Sequence, residues 1–157
     1  MYRKTVLTII GASILVALAI VLAWAQTANE IELTKTNIQA ERQQIVSDYM
    51  NLDDQEANKF WPVYNSYRSD MSKLNDRLLK AGQSFAKSYD NMTDDQARTL
   101  LSEFQDIQAR RIKLQTKYAP KFESAIGAKK TLRFYQLENK MDAVVNYDLA
   151  GAVPLAQ

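Results

Sequence analysis

Apolar side chains through the middle of the chain return every three or four residues. They fall at Ala57, Phe60, Tyr64, Tyr67, Met71, Leu74, Leu78, Ala81 and Phe85. Alternating steps of three and four make a heptad seam, the signature of a long bundle helix or coiled coil. A second seam runs Ala97, Leu100, Phe104, Ile107, Arg111, Leu114 and Tyr118, with Leu101 and Ile112 widening it. A weaker first helix is expected from Ile31, Ile38, Ile45 and Tyr49. A last helix is expected from Leu132, Phe134, Leu137, Met141, Val144, Val145 and Leu149. No stretch alternates with the period of two that a half-buried strand requires. The pattern predicts an all-α fold: a long helical hairpin or four-helix arrangement, its helices antiparallel.

The two central helices open with the same device. Leu52-Asp53-Asp54-Gln55-Glu56-Ala57 aligns with Met92-Thr93-Asp94-Asp95-Gln96-Ala97. Asp53 and Thr93 are expected as N-caps, accepting from an orphan backbone N–H. Glu56 and Gln96, three residues on, reach back to the N–H of the cap. Asp54, Asp94 and Asp95 place negative charge at the positive end of the helix dipole. Leu52 and Met92 precede the caps and are positioned to staple onto Ala57 and Ala97. The repeat suggests an internal duplication of half a helical hairpin. Among the breaks, Pro62 is expected to kink the second helix and Pro120 to bend or split the third. Residues 88–91 form a connection, and Gly127 ends the third helix and opens the last.

The N-terminus reads differently. Arg3 and Lys4 precede an apolar run from Val6 to Leu22, and Ala23-Trp24-Ala25 follows. Basic head, apolar middle and A-x-A site are the parts of a secretory signal peptide over residues 1–25, with Gln26 as the new N-terminus. The rival reading is an uncleaved anchor, since about 20 apolar residues span a bilayer core. Either way residues 26–150 form one helical domain outside the cytoplasm, in the periplasm or anchored to the inner membrane facing it. Residues 151–157 form a short tail.

Composition narrows the chemistry. The chain has no His and no Cys. That excludes disulfides, Cys or Ser–His nucleophile pairs, a His general base and His/Cys metal sites. No cofactor and no metal are expected, and no catalytic constellation is visible. Asp94 and Asp95 resemble an acid/base pair, but capping accounts for both. The net charge of +2 equals the charge of Arg3 and Lys4, so the remainder is balanced at 18 basic and 18 acidic residues. The balance is uneven along the chain: residues 30–97 are net −4 and residues 98–140 net +6. The plain reading of this asymmetry is a set of helix faces that attract one another. The sharper one is a basic surface for an anionic partner. No aromatic-interleaved motif accompanies the basic residues, so nucleic acid is not expected. Met50, Met71, Met92 and Met141 fall at helical apolar positions and read as core filler.

A signal peptide, four helices and a repeated L-T-x-x-Q-like cap resemble the periplasmic Spy/CpxP family. Met92-Thr93-Asp94-Asp95-Gln96 is a near-complete copy of that motif and Leu52-Asp53-Asp54-Gln55-Glu56 a looser one. A degraded third echo sits at 126–130, before Arg133-Phe134. The resemblance implies a helical hairpin-like fold and a curved antiparallel homodimer. It also implies a cradle that holds unfolded chains, or modulates an envelope-stress sensor, without ATP. Attraction of such partners falls to Arg110, Arg111, Lys113, Lys117, Lys121, Lys129, Lys130 and Arg133. The off-seam pair Trp61 and Val63 is expected to supply exposed apolar contact. The competing reading is a structural or adaptor protein of the envelope that pairs with one dedicated partner through its seam.

Overall fold

The computed structural model describes residues 39–152 and 154–156. Residues 1–25, the expected signal peptide or anchor, and the expected seam positions Ile31 and Ile38 lie outside the described residues, as does the burial of Leu149. The chain divides into two units, Met1–Ile45 and Val46–Gln157. Of the first, residues 39–45 are described; they are helical, with Arg42 buried and Ile45 half-buried. The second unit holds the features that follow.

Three α-helices hold most of the described residues, which include no strand. Helix α1 (39–50) stops at Asn51, whose φ of 47° is left-handed. Asn tolerates that conformation better than most residues and commonly closes a helix. Helix α2 is Asp54–Ser88. A 3₁₀ turn, Tyr89–Asn91, connects it to α3, Asp94–Ala152. Both expected capping boxes are present. Asp53 Oδ1 accepts from the Glu56 N–H at 2.9 Å and Glu56 Oε2 from the Asp53 N–H at 3.0 Å. Gln96 Oε1 accepts from the Thr93 N–H at 2.9 Å and Thr93 Oγ1 from the Gln96 N–H at 3.3 Å.

Helix α3 is not one rod. Its backbone leaves helical geometry at Gly127, with φ 74° and ψ 163°. Three contacts show that the arms on either side lie together. Phe122 and Phe134 have ring centroids 4.4 Å apart. The Tyr135 hydroxyl donates to the Gln115 carbonyl at 2.8 Å. Arg111 meets Asp142 at 3.4 Å. The first arm (94–126) runs antiparallel to α2: Arg77 pairs with Glu103, Asp70 with Lys117, and Phe60 with Phe122. The second arm (128–152) runs parallel to α2: Glu56 pairs with Lys130, Phe60 with Phe134 and Arg68 with Glu138. The result is a three-rod bundle.

The α2 seam is buried at Phe60, Tyr64, Tyr67, Met71, Leu74 and Ala81. The first-arm seam holds at Ile107 and Tyr118 and continues into Phe122 and Ile126. Phe60, Tyr67, Phe122 and Phe134 interlock as edge-on and tilted rings at the centre. Such pairs add about 0.5–1.5 kcal/mol each beyond area burial.

The helix assignment runs on through Pro62 in α2 and through Pro120 in α3, and both prolines are exposed. Three expectations are corrected. Leu101 and Ile112 do not widen the first-arm seam but are 58% and 63% exposed. In the second arm Leu132 and Val144 are 60% and 64% exposed, and Val145 is exposed too; Thr131, Phe134 and Glu138 face inward instead. In α1 the buried positions of the second unit are Val46 and Met50, while Tyr49 is 59% exposed. The buried face follows an i, i+4 step that the sequence offers beside the expected one.

The turn at Gly127 separates two kinds of glycine. A Cβ added at Gly127 or at Gly82 would meet nothing within 4 Å. Only Gly127 has positive φ, in a region essentially closed to other residues. Gly127→Ala is expected to destabilise by about 1–3 kcal/mol. Gly82→Ala, inside α2, is expected to stabilise by about 0.5–1 kcal/mol. Urea-unfolding midpoints of the two variants check both signs; a neutral Gly127→Ala would contradict the turn.

Candidate partner-binding surface

The eight cations singled out by sequence are engaged to different degrees. Lys130 is tied inward: its ammonium meets Glu56 and donates to the Asn51 carbonyl at 3.1 Å. It thus joins the end of α1, the start of α2 and the second arm of α3. Arg111 is half-buried and reaches Asn75 at 3.0 Å and Asp142 at 3.4 Å. Both residues brace the bundle, a role that competes with the expected docking one. Arg110 pairs with Asp106 at 2.6 Å on the same helix. Lys117 pairs with Asp70 at 3.2 Å. Lys117 and Lys121 also place their ammonium groups 5.0 and 4.9 Å from the Tyr118 ring centroid, a cation–π arrangement. Lys113, Lys129 and Arg133 are exposed and make no ion pair among the described residues.

Trp61 and Val63 do not form a protruding patch. Both are half-buried against the core. The Trp61 ring stands edge-on to Phe60 at 5.2 Å and to Tyr64 at 5.3 Å. The aromatic cluster is continuous, so an indole one position off the seam still packs on its flank. The cap residues Leu52 and Met92 are half-buried, and Asp53 and Thr93 are exposed. Capping accounts for the repeated motif at both places.

Sequence reasoning missed the inward acids. Glu138 is 2% exposed and meets Arg68 at 3.1 Å. Its helical spacing from Thr131 and Phe134 puts it on the core face. That spacing is the one signal in the sequence, and a Glu is normally read as solvent-facing. Among the described residues no group of three or more potential metal ligands converges.

Electrostatics bind α2 to the first arm. Glu103 takes two hydrogen bonds from Arg77, at 2.8 and 2.9 Å, and Asp106 takes one from Arg77 at 2.7 Å. These bonds, with Arg110 leading at Asp106, hold both carboxyls below their usual range. Asp70 accepts from Lys73, the Tyr118 hydroxyl and Lys117, which lower its pKa to about 2. Burial, followed by the bond to Asp70, raises the Tyr118 hydroxyl; burial pushes Tyr135 up to about 12. Both stay neutral donors at ordinary pH.

Asp70 generates a pH dependence. Its carboxylate is favoured in the folded state, so its contribution is complete above pH 4 and is lost as pH falls toward 2. Asp70→Asn is expected to cost on the order of 1 kcal/mol at neutral pH, after discounting for solvent screening. The stability difference between wild type and variant should shrink between pH 4 and pH 2. Urea melts across that range check it; a constant difference would show that Asp70 is not engaged as drawn.

Compared with known proteins, the chain matches no family model, no curated protein and no solved structure.

Proposed function

We propose that this is a non-enzymatic protein of the cell envelope that holds unfolded or partly folded polypeptides without ATP, in the manner of the Spy/CpxP-like proteins its motifs resemble. It acts outside the cytoplasm, as a homodimer, and uses charge to draw chains in and isolated apolar side chains to hold them. The observation that carries this reading is the surface chemistry. Lys113, Lys129 and Arg133 point outward without ion-pair partners among the described residues, on the same helix as exposed Leu101, Ile112, Leu132 and Val144. Weak, dispersed contacts of this kind suit many different chains, and long-range charge raises encounter rates.

The test is suppression of aggregation by the full chain, without nucleotide, on several unrelated unfolded proteins. Delay at near-stoichiometric ratio is expected, and weaker delay in high salt. The triple variant K113E/R133E/K129E should keep its helical circular dichroism and lose much of the activity. Failure of the wild type on all clients would overturn the reading in favour of a single dedicated partner.

A further inference from the structure

The second arm of α3 distributes its charges by sign. Its described side chains include two acids, Glu138 and Asp142, and neither faces outward alone. Glu138 is buried against Arg68 of α2, and Asp142 is half-buried against Arg111 of the first arm. Outward positions of one face are Lys129, Leu132, Arg133, Gln136, Asn139, Lys140, Ala143 and Val144, all exposed. Over residues 128–146 no acid interrupts them. They repeat at helical spacing, so they form one stripe about 22 Å long. Phe134, fully buried behind the stripe, fixes the helix against the aromatic core.

We propose that this stripe is a docking surface for an anionic lipid membrane. The charge complementarity is direct: Lys129, Arg133 and Lys140 face lipid phosphates with no counter-charge beside them on that face over residues 128–146. Leu132 and Val144, near the two ends, are 60% and 64% exposed and reach the acyl boundary when the arm lies flat. Basic side chains hold the arm at headgroup level by attraction to anionic lipid, and the two exposed apolar side chains insert beside them. An acidic polypeptide is the competing partner, but it gains nothing specific from apolar side chains separated by three helical turns. The proposal goes beyond client holding and does not rest on it.

The absence of cysteine allows single-site labelling of the full chain. An environment-sensitive fluorophore is placed on Leu132→Cys or Val144→Cys, and on Leu101→Cys or Ile112→Cys as equally exposed controls on the first arm. On vesicles of phosphatidylglycerol and phosphatidylcholine, emission from positions 132 and 144 should shift to the blue, and positions 101 and 112 should not. Pure phosphatidylcholine or high salt should abolish the shift. Replacing Lys129, Arg133 and Lys140 by Gln should weaken the response to anionic vesicles roughly a hundredfold. The label sites are exposed, so the fold is retained, and circular dichroism checks it. No shift at 132 and 144, or an equal shift at all four positions, would overturn the proposal. So would a shift induced by polyglutamate and not by vesicles, which would assign the stripe to an acidic polypeptide.

Discussion

At Gly127 the backbone takes φ 74° and ψ 163°, and the bundle depends on that turn. Without it, residues 94–152 would form a single rod about 90 Å long with half its apolar face bare. With it, Phe134 returns to within 4.4 Å of Phe122, and both meet Phe60 and Tyr67 of α2. The core is therefore assembled from three segments distant in sequence. Glycine makes the turn possible because the conformation is closed to side chains, even though the space around it is open.

The turn also decides which charges face inward. It brings Glu138 to Arg68 and Asp142 to Arg111. A buried ion pair gains little over an apolar pair of the same volume, because desolvation offsets the Coulomb attraction. Breaking one leaves a buried charge without its counter-charge, so such pairs penalise a slipped register between the arms. Lys130, held by Glu56 and the Asn51 carbonyl, acts likewise where α1 ends and α2 begins. The acids taken inside leave the outer face of the second arm cationic, so the surface chemistry is a by-product of how the core is fastened.

How legible this was depends on which interactions are local. Both capping boxes were readable because their partners lie three residues apart, and the α2 seam because its spacing repeats every three or four residues. Gly127 was readable as the end of one helix and the start of an antiparallel one, since glycine ends helices; which residues then face each other across the turn was not. The second-arm register was misread at Leu132 and Val144, and Glu138 was missed, because Arg68 decides whether Glu138 can be buried and lies 70 residues away. Tyr49 was expected in the core, but Val46 and Met50 compete for that face with similar apolarity. The basic residues were identifiable by type alone. Which were occupied was not, since the partners of Arg111 and Lys130 lie 31 and 74 residues away.

The central claim is that the two arms of α3 lie side by side. Paired spin labels on cysteines at exposed Gln108 and Asn146 measure it directly, since these positions flank the Arg111–Asp142 contact. Adjacent arms predict a narrow distance distribution near two helix diameters, roughly 20 Å. A distribution centred near 57 Å, the length of a continuous helix over the same residues at 1.5 Å each, would contradict the fold-back and the account built on it.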